Sequence, residues 1–130
     1  SLGRYLYHGI LGLAVDPSKK IVCVGNSSSG IKESPIFGCP TVNVGSRQQG
    51  RLRGDNVIDV TYDQTEIVNA INKCLYDTQF RSDCQNTDNP YHIGMAGKAI
   101  ADVLANVELG QKIIRKGMTL VGEAKDGWHR

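Results

Sequence analysis

Ile21-Val22-Cys23-Val24-Gly25-Asn26-Ser27-Ser28-Ser29-Gly30-Ile31-Lys32-Glu33 joins an apolar run to a helix opening through a turn of small residues. An apolar run this short, without polar alternation, reads as a buried strand over 21–25. The turn after it lets backbone N–H groups and three hydroxyls converge on one point. A helix N-terminus behind that point carries partial positive charge, so an anion is its natural occupant. Gly30 lets the backbone approach a ligand closely, and Asn26 can hold the turn through an Asx-type bond. Ser ahead of a helix is also among the commonest N-caps, so at Ser27, Ser28 and Ser29 capping and phosphate binding both stand as readings. Glu33, about one turn into the helix, suits either a macrodipole partner or an acceptor for two ribose hydroxyls. The turn is no Walker loop, because Ile31 stands where the lysine belongs, and it lacks the Gly-x-Gly-x-x-Gly fingerprint.

Working outward, Thr41-Val42-Asn43-Val44-Gly45 and Asn56-Val57-Ile58-Asp59-Val60 read as two further short strands. Short continuous apolar strands alternating with helices predict an α/β fold: a parallel sheet covered by helices on both faces. Ligands of such sheets sit at the carboxyl ends of the strands. Ser46-Arg47-Gln48-Gln49-Gly50-Arg51-Leu52-Arg53 leaves the second strand at that edge. Three arginines set among glycines suit a loop that recognises anions, since each guanidinium offers a permanently charged fork of donors. A solvated surface loop has the same composition.

Leu2, Tyr5, Leu6, Ile10 and Leu13 fall on one helical face, predicting an amphipathic helix over 2–14 that Asp16-Pro17-Ser18 stops. Pro35 requires the helix after the Ser turn to be short or kinked, and Gly38-Cys39-Pro40 ends it. Asp63 and Glu66 have capping-box spacing ahead of a helix with Ile67, Ile71, Cys74 and Leu75 on one face. A polar loop is expected over 79–93, ending in Asn89-Pro90-Tyr91. Ile100, Val103, Leu104 and Val107 mark a last helix, interrupted by Gly110 before Ile113-Ile114. The expected organisation is one domain over 1–121 and a polar tail over 122–130.

The bulk properties exclude several classes. At 130 residues, with 40% hydrophobic and 22% charged residues, the chain fits one globular domain. A net charge of +2, with no basic run, argues against nucleic acid and anionic membrane as partners. Cysteines 23, 39, 74 and 84 match neither a zinc nor a redox spacing and read as small core residues in a reducing compartment. With no signal peptide and no spanning apolar run, a cytoplasmic location is expected. Beginning at Ser1 without Met, directly on a helical pattern, the chain suggests a piece cut from a longer polypeptide. His8, His92 and His129 match no metal spacing, and neither a nucleophile triad nor a carboxylate pair stands out. No catalytic residue, metal or cofactor is assigned.

The segments Gly25 to Glu33, Phe37-Gly-Cys-Pro-Thr-Val-Asn-Val-Gly45, Ser46-Arg-Gln-Gln-Gly-Arg51 and Asn56-Val-Ile together resemble the C-terminal domain of UDP-N-acetylglucosamine 2-epimerases. The Asn-Ser-Ser-Ser-Gly form, the Arg-Gln-x-Gly-Arg loop and Ser34 at a position acidic in the non-hydrolysing branch resemble the hydrolysing branch. Asn89-Pro90-Tyr91 also resembles a family element, although His92-Ile93-Gly94 replaces the usual Gly-Asp-Gly after it. The similarity covers roughly residues 20–107. It implies a Rossmann-like C-terminal half of a GT-B-type two-domain fold. It implies UDP binding by Ser27, Ser28, Ser29, Gly30, Glu33 and Arg47. It also implies conversion of UDP-N-acetylglucosamine, or a diacetamido relative, to the free 2-epimer plus UDP in sialic-acid-type sugar biosynthesis. The family's acid–base groups lie in the missing N-terminal domain or upstream, so this piece is expected to be inactive alone and its full-length parent to be a homo-oligomer. Two alternatives share the site: a UDP-sugar-dependent GT-B glycosyltransferase domain and a non-catalytic nucleotide-sugar-binding domain.

Overall fold

Three short apolar runs pair in parallel to form the centre of the molecule. In the computed structural model, which describes residues 2–92 and 94–107, β1 (Cys23–Gly25), β2 (Thr41–Val44) and β3 (Val57–Val60) form one sheet in the order β1-β2-β3. Cys23 stands opposite Thr41, and Gly25 opposite Asn43; Thr41 stands opposite Val57, and Val44 opposite Val60. Parallel pairing brings every strand's carboxyl end to one edge, so the loops after Gly25, Val44 and Val60 all emerge there.

Side chains alternate across this sheet and build two cores. Leu11, Ala14 and Cys39 are buried on one side, with Tyr7, Ile21, Cys23 and Phe37 packed against them. On the other, Val42, Ala70 and Cys74 are buried under Val22, Val44, Ile58, Val60, Ile71 and Phe80. The first face is covered by α1 (Gly3–Gly12) and α2 (Ser29–Lys32), the second by α3 (Gln64–Tyr76). The expected α/β architecture, a parallel sheet with helices on both faces, is therefore present. As Pro35 requires, α2 is a single turn, followed by a 3-10 turn over Ser34–Phe37 with the proline in its first turn.

The Asp63 cap forms, its carboxylate accepting from the Glu66 N–H at 2.9 Å. The reciprocal half of the box does not: Glu66 accepts from the N–H and hydroxyl of Thr61, which hold its carboxyl below the usual range.

Two expectations need correction. The helix over 2–14 exists, as α1 with a 3-10 turn at Leu13–Val15, but it turns Tyr7, Leu11 and Ala14 to the core. Leu2, Tyr5, Leu6, Ile10 and Leu13 stay exposed, Tyr5 at 90%, beside an apolar groove of about 810 Å³. Both stripes have helical period, so periodicity alone did not choose between them. The segment read as a polar loop over 79–93 contains α4 (Thr78–Gln85). Asp77 caps it through the Phe80 N–H at 2.9 Å, and buried Arg81 donates to the carbonyls of Cys74 and Lys19 at 3.2 and 2.7 Å.

The chain divides into two compact units, Ser1–Ile93 and Gly94–Arg130. In the second, α5 (Ala96–Asn106) matches the expected last helix. Gly110, Ile113-Ile114 and the boundary at 121/122 lie outside the described residues.

Candidate functional site

The Ser turn sits where β1 ends, and α1 braces it from behind. Tyr7 donates to Ser29 Oγ at 3.2 Å, and burial pushes its phenol above the ordinary value, keeping it a neutral donor. Ser27 Oγ and Ser29 Oγ are 2.9 Å apart, and the Ser29 N–H reaches Ser27 Oγ at 3.4 Å. Ser28 occupies the cap position of α2 yet makes no side-chain capping bond. Capping thus accounts for little of this turn. The dipole argument weakens too, because a one-turn helix aligns few peptide dipoles. The turn's capacity for an anion rests on its amides and hydroxyls.

Gly30 is buried. A Cβ there would lie 3.3 Å from Thr41 Cγ2 and 3.5 Å from Cys23 Sγ, so the missing side chain lets α2 settle on the sheet. Glu33 closes α2 at its C-terminal end, where a carboxylate gains nothing from the macrodipole. It instead accepts from His8 Nε2 at 2.6 Å, with both side chains half-buried. His8 matched no metal spacing and Tyr7 carried no signal of its own; residues 25 and 22 positions from their partners leave no local trace.

The arginine loop meets the Ser turn as expected. Gln48, buried in the 3-10 turn over Ser46–Gln48, donates from Nε2 to the Asn26 carbonyl at 2.7 Å, and exposed Arg47 reaches Asn26 Oδ1 at 3.4 Å. Asn26 therefore ties two loops together rather than closing an Asx turn on itself. Of the three arginines, Arg53 is drawn inward to Asp59 and the Gln48 carbonyl, while Arg47 and Arg51 face solvent. Asn89 donates to the Lys32 carbonyl at 3.2 Å, and the Lys32 ammonium lies 5.3 Å from the Tyr91 ring centre, which docks Asn89-Pro90-Tyr91 beside α2.

Open space meets these groups. A recess of about 350 Å³ is lined by Gly25, Asn26, Ser27, Ser29, Gly30 and Asn43, among others. A neighbouring one of about 380 Å³ lies between Arg4, Tyr7, Ser29 and Glu33, so Ser29 stands on the wall between them. A third, of about 470 Å³, runs from Asn43 past Arg53 and Asp59 to Tyr62. The rim is open, as anion binding at this edge requires.

Residues 17–105 match the family model of UDP-N-acetylglucosamine 2-epimerase, and that span includes the sheet, the Ser turn and the arginine loop. The chain belongs to this family. It is 36% identical over 95 residues to the UDP-N,N'-diacetylbacillosamine 2-epimerase (hydrolyzing) of Legionella pneumophila, covering 73% of this chain and 24% of that protein. It is 47% identical over 68 residues to the polysialic acid biosynthesis protein P7 of Escherichia coli, covering 52% of this chain and 17% of that protein. It is 35% identical over 85 residues to the UDP-N-acetylglucosamine 2-epimerase of Neisseria meningitidis serogroup B, covering 65% and 22%. The chain thus spans less than a quarter of the length of these relatives. Among the described residues, no helix is long and apolar enough to cross a membrane.

Proposed function

We propose that this chain is the UDP-holding part of a hydrolysing UDP-N-acetylglucosamine 2-epimerase, within the C-terminal half of a GT-B-type fold. In this reading the diphosphate lies in the recess lined by Ser27, Ser29 and Gly30, Ser28 completes the turn beside it, and the Arg47 guanidinium swings over it. Glu33 keeps one carboxylate oxygen on His8 and offers the other to the ribose hydroxyls. The observation that carries the reading is the 2.7 Å bond from Gln48 to the Asn26 carbonyl, which holds the arginine loop beside the Ser turn at the open edge of the sheet.

The chemistry then divides between the parts of the whole protein. A base supplied outside this chain removes the C2 proton of the sugar as the C1–O bond to UDP breaks. The electron pair of that bond leaves with UDP, and the resulting glycal adds water at C1 to give the free 2-epimer. Hydroxyl, amide and guanidinium donors fixed around the diphosphate stabilise the charge that grows on it, which lowers the barrier to departure. The hydrolysing branch is supported by Ser34, whose hydroxyl is buried in a neutral network with Gly30, Thr41 and Asn56 where the other branch has an acid. The printed activity of the Legionella relative supports the same branch.

The intact protein incubated with UDP-N-acetylglucosamine should release UDP and free N-acetylmannosamine, and Ser28→Ala and Arg47→Ala should each weaken UDP binding. Sugar transfer to an acceptor without free epimer would indicate the transferase reading. UDP binding with no turnover would indicate a binding domain. Unchanged UDP affinity in both variants would refute the site.

A further inference from the structure

Asn43 occupies the central strand, 2% exposed, with Gly25 beside it on β1 and Asp59 beside it on β3. Its Nδ2 donates to Asp59 Oδ1 at 2.7 Å, and Arg53 bonds that same oxygen. A carboxylate only accepts, so Asp59 fixes which end of the amide faces it. The carbonyl end, Oδ1, is left pointing away from Asp59, and it is a buried acceptor with no partner among the described residues. On that side Gly25 carries no side chain, and a Cβ there would meet nothing within 4 Å. Asn43 lines both the Ser-turn recess and the recess that runs to Tyr62. The other unpartnered buried oxygens, Gln48 Oε1 and Asn56 Oδ1, belong to residues that line neither.

An unpaired buried acceptor costs stability, so its place under an open recess needs a donor to explain it. A phosphate supplies none, because its oxygens are acceptors. We propose, on the basis of the functional reading above, that Asn43 is a specificity-determining residue whose Oδ1 accepts a hydrogen bond from a neutral donor of the bound nucleotide sugar, a hydroxyl or an amide N–H. The Asp59–Arg53 pair is its positioning device, holding the amide so that only an acceptor faces the ligand. The Ser turn and Arg47 then read charge, while Asn43 reads what the charge is attached to.

Calorimetric titration of the intact protein with pyrophosphate, UDP and UDP-N-acetylglucosamine tests this. Asn43→Leu keeps the branch at Cγ, with added bulk, and removes the acceptor together with the bond to Asp59. We expect pyrophosphate affinity to hold while nucleotide affinity falls roughly tenfold, equivalent to about 1.4 kcal/mol. A fall for both UDP and the nucleotide sugar places the donor on the nucleoside; a fall for the nucleotide sugar alone places it on the glycosyl group. Unchanged affinity, or an equal loss for all three ligands, overturns the assignment. Should Asn43→Leu fail to fold, Asp59→Ala leaves Asn43 in place and frees its amide to rotate. The same selective loss is then expected, and its absence is equally fatal. Native protein that binds none of the three ligands would remove the functional reading itself, and this inference with it.

Discussion

Along β2, Thr41 and Asn43 point to the same face of the sheet, two residues apart, and their surroundings differ sharply. Around Thr41, at the amino end, polar groups hold one another, and the oxygen left over there, Asn56 Oδ1, belongs to a residue that lines neither the Ser-turn recess nor the one that runs to Tyr62. Ser34 donates to the Gly30 carbonyl at 2.5 Å, Thr41 Oγ1 lies 2.9 Å from Ser34 Oγ, and Asn56 Nδ2 donates to Ser34 Oγ and the Cys39 carbonyl at 2.9 and 2.8 Å. Around Asn43, at the carboxyl end, the Ser28 hydroxyl caps nothing, Arg47 holds Asn26 only at 3.4 Å, and a buried carbonyl oxygen lacks a donor. One end uses its polar groups to specify the fold; the other keeps them available. That division is what a binding edge requires, because groups already paired have little left for a ligand.

The difference should show most strongly in thiol chemistry. Burial pushes Cys39, Cys74 and Cys84 up to about 12, while Cys23, half-buried and lining the Ser-turn recess, is raised less far. From an ordinary value of 9.0, a rise to about 12 cuts the thiolate fraction at pH 8 roughly a thousandfold. Pulse alkylation with peptide mapping should label Cys23 first and the other three only on unfolding. These thiols hold their protons more tightly folded than unfolded. Their contribution to stability is therefore intact below about pH 9 and lost as the pH climbs toward 12, where urea midpoints should fall. Fast labelling of Cys39 would break the contrast.

Asn56→Ala removes a donor from Ser34 and from the Cys39 carbonyl and leaves a cavity at a fully buried position. A loss of about 3 kcal/mol is expected from the stranded acceptor and the void together. Nucleotide affinity per folded molecule should not change. Denaturant unfolding alongside titration at low temperature would measure both, and a collapse of affinity without loss of stability would reverse the roles given to the two ends.

Arg47→Ala should do the opposite. Its side chain is exposed and makes one long hydrogen bond, so stability should move by less than about 0.5 kcal/mol. Loss of a charge-assisted contact should weaken UDP binding by about 2 kcal/mol, roughly thirtyfold. Binding that is unaffected by this change would leave the arginine loop a surface feature.

The contrast also bears on what could be read from the chain beforehand. Strand runs, the break at Pro35 and the convergence of Ser turn and arginine loop were legible because each depends on local chemistry: apolar continuity, a missing N–H, parallel pairing. Which stripe of α1 is buried was not, since Leu2-Tyr5-Leu6 and Tyr7-Leu11-Ala14 are equally periodic and only packing decides. Nor was α4, whose polar sequence hides a buried Arg81 satisfied by carbonyls from α3 and from Lys19. At the site, the Ser turn and Arg47 were visible as anion chemistry. His8 on Glu33, Tyr7 on Ser29 and the stranded Asn43 oxygen arise from tertiary contact, which leaves no spacing to find.

The smallest effect is a difference between two glycines, one at each end. Gly38 has φ +57, and a Cβ there would lie 2.9 Å from Gln85 Cα, in the backbone of α4. Gly45 has φ +77, and its Cβ would fall 2.3 Å from Tyr62 Cζ. By distance alone Gly45→Ala is the worse clash. By what must move it is the milder one, because the Tyr62 side chain is 72% exposed and can swing into solvent, whereas α4 is pinned by its contacts. Gly38→Ala, at ψ 26, carries the backbone cost of a left-handed residue, about 1 kcal/mol, whereas Gly45, at ψ −171, sits in a region that only glycine populates readily, at about 2 kcal/mol. Gly38→Ala adds displacement of a packed helix, for a total of about 2 kcal/mol. Urea unfolding should therefore place Gly38→Ala and Gly45→Ala within about 1 kcal/mol of each other, in spite of the much closer contact at Gly45. A loss at Gly45→Ala larger than that at Gly38→Ala by a wider margin would mean that Tyr62 is held as firmly as the interior, and that the carboxyl edge is less free to adapt around a ligand than its unpaired groups imply.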